Sequence, residues 1–253
     1  MEAKTQYKGR GNVIVDDQDF YLRTANLVYD ALGRDVQRIL NEEFKGIEGI
    51  EDTHEYWKGQ PLAFSNTLRA LIRQKILKEI FPRAHLLSYH EMLTPSIWNN
   101  SEEMDSTYAD LNGFVLYPNP GPNEKLRQRA LDIFGKETRE LSEEFPLVIS
   151  GLKPIKSGSL FVFEDSQDKQ AEPEPSLRQS GKSIYIPGQG VVADEKGIYV
   201  DVPEDQSGIR RLYRGGAGGL NAWSGDLLYS VESGRVQVLF EPKARAKNLE
   251  SRF

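Results

Sequence analysis

Apolar residues recur with helical spacing along the first half of the chain. Two stripes return every three or four positions, as one buried face of an amphipathic helix requires. The first consists of Val28, Leu32, Val36, Ile39 and Leu40, and the second of Leu68, Leu71, Ile72, Ile76 and Ile80. A third run of the same spacing extends over residues 122–145. The pattern predicts three helices, and Pro82 is expected to end the second.

From Pro146 onward the pattern changes to short runs of β-branched and aromatic residues between glycines and prolines, such as "SLFVFE", "SIYIPG" and "RVQVLF". Such runs are typical of strands. The stretch "VESGRV" predicts a hairpin turn that pairs the strand after Asp226 with the strand before Glu241. We therefore expect an α+β fold. A helical N-terminal half (1–145) would pack on an antiparallel sheet or small barrel (146–253), as one compact unit.

One stretch of the second half has little to bury. Residues 164–182, "EDSQDKQAEPEPSLRQSGK", contain five acidic residues, three basic residues and two prolines. This composition predicts a mobile loop between strands. Such a loop is also a candidate contact for a protein partner.

Composition restricts the chemistry. The 253 residues include no cysteine, which excludes disulfides, zinc–thiolate sites and cysteine nucleophiles. The polar first residues predict no signal peptide, and no apolar run is long enough to span a membrane, so we expect a soluble cytoplasmic protein. The net charge of −6 counts against coating nucleic acid through overall charge but leaves room for a local basic patch.

The best candidate for such a patch is the stretch "IRRLYRGGAGG". Arg210, Arg211 and Arg214 lie in a segment without acidic residues, from Gln206 to Gly225. The glycines would allow successive backbone N–H groups to converge on an anion. We therefore predict phosphate binding by the three arginines. The alternative is a wide turn in which the glycines only relieve backbone strain.

Asp226, Glu241 and Lys243 follow the D…E-x-K order found in many metal-dependent nucleases. In that arrangement, Asp226 and Glu241 would hold Mg²⁺ and Lys243 would orient the attacking water. If the hairpin forms as expected, Asp226 and Glu241 face each other across it. The alternative is a hairpin end at which Lys243 or a nearby arginine neutralises the two carboxylates.

These candidates favour a nucleic-acid-handling protein and, more specifically, a metal-dependent phosphodiesterase. The alternative is a non-catalytic protein-binding or assembly module that uses the arginine–glycine loop or the 164–182 loop. His85 and His90 lie near Glu91, but their rings would diverge on a single helix and on a single strand. We therefore interpret both histidines as surface or interfacial residues rather than metal ligands.

Overall fold

The computed structural model describes residues 13–15, 20–24, 38–47, 65–80, 84–99, 108–215, 219–229 and 234–240. Within these ranges the named helices are α1 (Thr67–Ile80), α2 (Tyr89–Leu93), α3 (Pro95–Asn99), α4 (Glu124–Phe134) and α5 (Lys136–Glu144). Residues 38–43 are also helical, and Pro175–Arg178 form a 3₁₀ turn. In this part of the chain no helix has the length and apolar character needed to cross a membrane.

The strands extend along the whole described sequence. They are β1 (Val13–Val15), β2 (Phe20–Thr24), β3 (Ala84–Leu86), β4 (Ala109–Leu116), β5 (Leu147–Ser150), β6 (Lys153–Ser157), β7 (Leu160–Glu164), β8 (Gln170–Pro173), β9 (Gly181–Ile186), β10 (Gly190–Ala193), β11 (Ile198–Asp201), β12 (Ile209–Arg214), β13 (Gly219–Asn221) and β14 (Arg235–Phe240).

Twelve of the described strands join in one curled, mixed sheet. Its main path runs β1-β2-β14-β4-β12-β13-β11-β9-β10, with β3 paired to β14, β5 to β4 and β8 to β5. Most neighbours are antiparallel, but β14 is parallel to β4 and β13 is parallel to β11. Strands β6 and β7 form a separate hairpin.

The predicted α+β arrangement is wrong. Strands β1 to β4 come from the first half of the chain and enter the same sheet as the later strands. Among the residues that the structure describes, the helices are few and short and do not form an N-terminal layer. The sheet is also mixed rather than antiparallel. Short strands such as β3 escape a search for periodicity because three residues are too few to show alternation.

The centre of the fold is β4, which is buried on both faces. Phe114 and Leu116 point into one hydrophobic cluster, together with the apolar residues of α1 and α4. Leu111, Val115 and Tyr117 point into a second cluster, together with those of α2, β9 and β11. Because both faces of β4 are covered, seven of its eight residues are buried rather than every second one, although the strand includes the polar residues Asp110 and Asn112.

Two of the predicted helices lie mostly within the described residues, although Pro82, which was expected to end the second, lies outside them. The second is confirmed as α1, and its predicted apolar stripe is buried up to Ile76. The third is divided into α4 and α5 at Gly135, whose φ of 87° lies in the left-handed region that favours glycine. Most of the first predicted stripe lies outside the described residues, although Ile39 and Leu40 are buried.

Residues 164–182 contain regular structure. Strand β8 pairs with β5 along its whole length, from Leu147 opposite Pro173 to Ser150 opposite Gln170. The 3₁₀ turn that follows buries Leu177. The mobility of this segment stays a prediction, but its backbone has sheet partners that the sequence alone did not reveal.

Candidate ligand-binding cleft

Arg210, the first arginine of the "IRRLYR" strand, has partners for all three nitrogens within the protein. Its Nη2 donates to both carboxylate oxygens of Asp205 at 2.9 Å, and its Nε donates to the carbonyl of Ser207 at 2.8 Å. Its Nη1 donates to the carbonyl of Trp223 at 3.1 Å. The guanidinium therefore fastens the start of β12 to the loops on either side.

Arg211 forms a buried ion pair with Asp110 of the neighbouring strand β4. Its Nε and Nη2 lie 2.5 and 2.7 Å from the two carboxylate oxygens, and both side chains are almost fully buried. Burial alone would lower the pKa of Arg211, but the charge and hydrogen bonds of Asp110 raise it above its ordinary value. The aromatic rings of Tyr108 and Tyr213 lie 4.5 and 4.9 Å from this guanidinium.

Arg214 is buried as well, with its guanidinium 4.9 Å from the ring of Trp98. All three arginines are therefore interior residues, and Arg210 and Arg211 already have hydrogen-bonded acceptors. Residues 216–218 of the glycine loop lie outside the described residues. Phosphate binding by these arginines stays a prediction, but the geometry gives two of them a structural role.

Asp226 lies in irregular structure directly before a bend at residues 227–228, not in a strand. Its Oδ1 accepts hydrogen bonds from the backbone N–H groups of Leu228 and Tyr229, at 3.0 and 2.9 Å. Strand β14 pairs with β2, β3 and β4 in the described residues. Glu241 and Lys243 lie outside those residues, so the proposed Mg²⁺ site stays a prediction.

A large cavity lies between α1 and residues 166–170. It has a volume of about 740 Å³, within the range of small-molecule sites. Its floor is formed by β3, the start of α2, β4 and the end of β5. Its polar lining includes Lys75, Lys78, His85, Ser88, Glu91, Asn112, Ser150, Lys153, Gln167, Asp168, Lys169 and Gln170. We call this cavity the cleft.

A histidine–glutamate pair lies in the wall of the cleft. The Nε2 of His85 lies 2.6 Å from Oε1 of Glu91, and both side chains are about one fifth to one quarter exposed. The other oxygen of Glu91 accepts from the N–H and hydroxyl of Ser88, at 2.9 and 2.7 Å. Burial alone would raise the pKa of Glu91, but His85 and Ser88 lower it, so the group is a carboxylate at neutral pH.

This pair forms because the chain changes from strand to helix between its two members. His85 lies on β3, whereas Ser88 and Glu91 form a capping box at the start of α2. The spacing Ser-x-x-Glu is a recognisable signal for a helix start. That signal is present in "LLSYHEML" and could have placed His85 before the helix and Glu91 in its first turn. The sequence interpretation instead tested a single helix or a single strand.

Lysines make the cleft positive on balance. Four lysines against three carboxylates, counting the lining residues Glu79, Glu91 and Asp168, leave a net charge of +1 with histidine neutral. Lys78 bridges the cleft to Asp168 at 2.8 Å, with both side chains about half exposed. Lys153 and Lys169 also pair with acidic residues, Glu164 and Asp165, at 2.9 and 2.7 Å.

A second histidine lies just behind the cleft, on α2. The Nδ1 of His90 lies 3.1 Å from Oε2 of Glu172, and its Nε2 is hydrogen-bonded to Oε1 of Glu174. The other oxygen of Glu174 accepts from the hydroxyl of Ser176, which is itself 3.0 Å from the hydroxyl of Tyr89. The described residues contain no cluster of three or more metal-binding side chains suited to an ion.

No family model, curated protein or solved structure matches this chain.

Proposed function

We propose that this protein binds a phosphorylated sugar, or a similarly polar molecule that carries phosphate, in the cleft. The observation that carries the proposal is the lining of the cleft. It combines four lysines with a set of side-chain amides and hydroxyls around a cavity large enough for such a ligand.

The lysines are suited to bind phosphate because their present partners hold them weakly. Lys78 and Asp168 are 42% and 56% exposed, and Lys153 and Glu164 are 44% and 46% exposed. Exposed ion pairs of this kind contribute about 0–1 kcal/mol, so a phosphate group competes readily for the ammonium groups. Lys75 and Lys78 lie three residues apart on α1 and line the same wall.

The rest of the lining favours a hydroxyl-rich ligand over a nucleobase. Gln167, Gln170 and Ser150 offer donors and acceptors, and Asn112 adds a buried side-chain oxygen without a hydrogen-bond partner among the described residues. A ligand hydroxyl that donates to this oxygen would offset the cost of burying it. The described lining contains no phenylalanine, tyrosine or tryptophan ring on which a base would stack.

Isothermal titration calorimetry tests the proposal with a hexose phosphate, the same hexose without phosphate, inorganic phosphate and a mononucleotide. We expect the hexose phosphate to bind most tightly and its affinity to fall as salt is added. Replacing Lys75 and Lys78 together with alanine should weaken binding about tenfold or more, because charged hydrogen bonds contribute about 1.5–3 kcal/mol each. Asn112→Ala should weaken binding of the hexose phosphate but not that of inorganic phosphate.

The matched control replaces Lys182 and Lys196 with alanine, which removes the same charge from exposed positions outside the cleft. Equal loss of affinity in both double variants would assign binding to overall charge rather than to the cleft. Absence of hexose phosphate binding would overturn the proposal. Tighter binding of the mononucleotide, or of a short oligonucleotide, would favour the nucleic-acid prediction instead.

A further inference from the structure

Residues 166–174 run from one wall of the cleft to the carboxylates that hold His90, and we call them the arm. Ser166, Gln167, Asp168, Lys169 and Gln170 line the cleft. Glu172 and Glu174, a few residues further along, contact the imidazole of His90 on α2. We propose that His90 is a pH-sensitive latch that fastens the arm, and with it one wall of the cleft, to α2.

The first argument is the number of acceptors around the ring. Neutral imidazole has one N–H donor, so only one of its nitrogens can donate to a carboxylate. Both nitrogens of His90 lie close to a carboxylate oxygen: Nε2 is hydrogen-bonded to Glu174, and Nδ1 is 3.1 Å from Glu172, within ion-pair distance. Only the doubly protonated imidazolium satisfies both contacts. Deprotonation would remove the positive charge and leave an unprotonated ring nitrogen beside one of the two carboxylates, so the attraction to that carboxylate would be lost.

The charges around His90 support the latch. Burial alone would lower the pKa of His90. The hydrogen bond and charge of Glu174, and the charges of Glu172 and Glu91, offset this and raise the pKa above its ordinary value of 6.5. The aromatic neighbours are Tyr185 of β9 and Tyr89, whose ring centroids each lie 5.3 Å from that of His90.

The second argument is the position of the arm in the sheet. Strand β8, the last part of the arm before Glu174, pairs with β5 on one side and has no second strand partner in the described residues. On its cleft side the arm is tied to α1 by the exposed Lys78–Asp168 pair. His90 is therefore the principal charged contact between α2 and an edge strand that shapes the cleft.

The consequence for binding rests on the proposed function. While His90 is protonated, the arm is held and Gln167, Asp168 and Gln170 keep their places in the cleft wall. As the pH rises through the pKa of His90, the latch is released and the cleft wall loosens. We therefore expect affinity for the hexose phosphate to be lost on the alkaline side, because a loosened wall must be ordered again when the ligand binds.

Two measurements without ligand test the latch itself. In NMR titrations, the imidazole of His90 should titrate above its ordinary midpoint, and Glu172→Gln should lower that midpoint, whereas the exposed control Glu195→Gln should leave it unchanged. In hydrogen exchange corrected for intrinsic rates, the amides of residues 170–172 and 174 should exchange faster at about pH 9 than at about pH 6. In His90→Gln they should exchange fast at both pH values.

Ligand binding then tests the regulation. The ligand's own second ionisation occurs with both proteins, so the ratio of native to His90→Gln affinity isolates His90. We expect this ratio to fall about fivefold or more between the two pH values, the lower end of usual coupling energies. If His90→Gln does not fold, Glu172→Gln, whose altered side chain is half exposed, gives the same comparison with a smaller change.

The outcomes separate the two proposals. The latch would be overturned if the imidazole of His90 titrated at or below its ordinary midpoint. It would also be overturned if amide exchange in the arm were the same in native protein and in His90→Gln, even if the hexose phosphate binds. If the ratio of native to His90→Gln affinity were the same at both pH values, the proposal that His90 controls ligand binding would be overturned. Failure of the hexose phosphate to bind at either pH, with release of the arm still observed, would overturn the proposed function alone.

Discussion

Arg211 and Asp110 show how single charged residues enter the core of this protein. Their two side chains exchange two hydrogen bonds, and Arg211 donates further to the carbonyls of Tyr229 and Ser65, at 2.8 and 2.9 Å. A buried ion pair needs such additional partners because removing two charges from water costs several kcal/mol each. Asp226 illustrates the opposite case, an exposed carboxylate whose partners are two backbone N–H groups.

Asp226→Asn separates the charge of this residue from its hydrogen bonds, because asparagine keeps an accepting oxygen and removes the charge. We expect the free energy of unfolding to change by less than about 0.5 kcal/mol. Asp226→Ala, which leaves both N–H groups without this acceptor, should lose about 0.5–2 kcal/mol. Urea unfolding measures both.

The same variant tests the Mg²⁺ prediction for Asp226, Glu241 and Lys243 without disturbing the bend. A metal-dependent phosphodiesterase would cleave DNA or RNA with Mg²⁺ and lose this activity in Asp226→Asn. No cleavage by the native protein, or equal cleavage by both, would remove the nuclease hypothesis at this site.

Strand β4 is the element on which the architecture depends, because it has three strand neighbours and supplies both hydrophobic clusters. Its register with β12 shifts between Arg211 and Tyr213, close to Gly113 on β4. Gly113 has a φ of 130°, and a Cβ at this position would lie 2.3 Å from the carbonyl oxygen of Ile149. The irregularity places Asn112 in the cleft and Asp110 opposite Tyr213.

Gly113→Ala should therefore destabilise the protein by more than the roughly 1 kcal/mol of an ordinary backbone effect, with about 1–3 kcal/mol of crowding added. Thermal unfolding gives the comparison. Gly181→Ala is the matched control, since Gly181 is also in a strand but has nothing within 4 Å of its added Cβ. Similar stability of the two variants would mean that β4 adapts to the side chain without loss.

For the whole molecule, the two histidine–carboxylate clusters limit stability at opposite ends of the pH range. The folded state lowers the pKa of Glu91 below 4.5, so its contribution is present above that value and is lost as the pH falls through the folded-state pKa. The folded state raises the pKa of His90 above 6.5, so its contribution is complete below that value and is lost as the pH rises through the folded-state pKa.

We accordingly expect the free energy of unfolding to be highest between these two limits. Chemical denaturation across the pH range should show an alkaline decline that disappears in His90→Gln and an acid decline that is reduced in Glu91→Gln. If the His90→Gln profile keeps the full alkaline decline, another group is responsible for it.

Local signals in the sequence determined several elements of this protein. The absence of cysteine, the apolar spacing of α1 and the strand-forming runs after Pro146 are all visible in the sequence. The helix and the strands are visible because the residues that each element buries follow a pattern within that element. Where the sequence interpretation failed, the deciding contacts join distant segments. Strand β4 pairs with β12, about 100 residues later in the chain, and the choice of such a partner leaves no local pattern.

The same reason applies to the candidate sites. The positive charge of Arg210, Arg211 and Arg214 is visible in the sequence, and so is Asp205, five residues before Arg210. Only the tertiary structure places Asp110, about 100 residues away, beside Arg211. Likewise, the capping residues Ser88 and Glu91 in "SYHE" indicate a helix start. The contacts of His90 with Glu172 and Glu174 instead require β8 and the residue after it to lie beside α2. Charge is a property of the residue, but its availability to a ligand depends on which distant side chains the fold brings within hydrogen-bond distance.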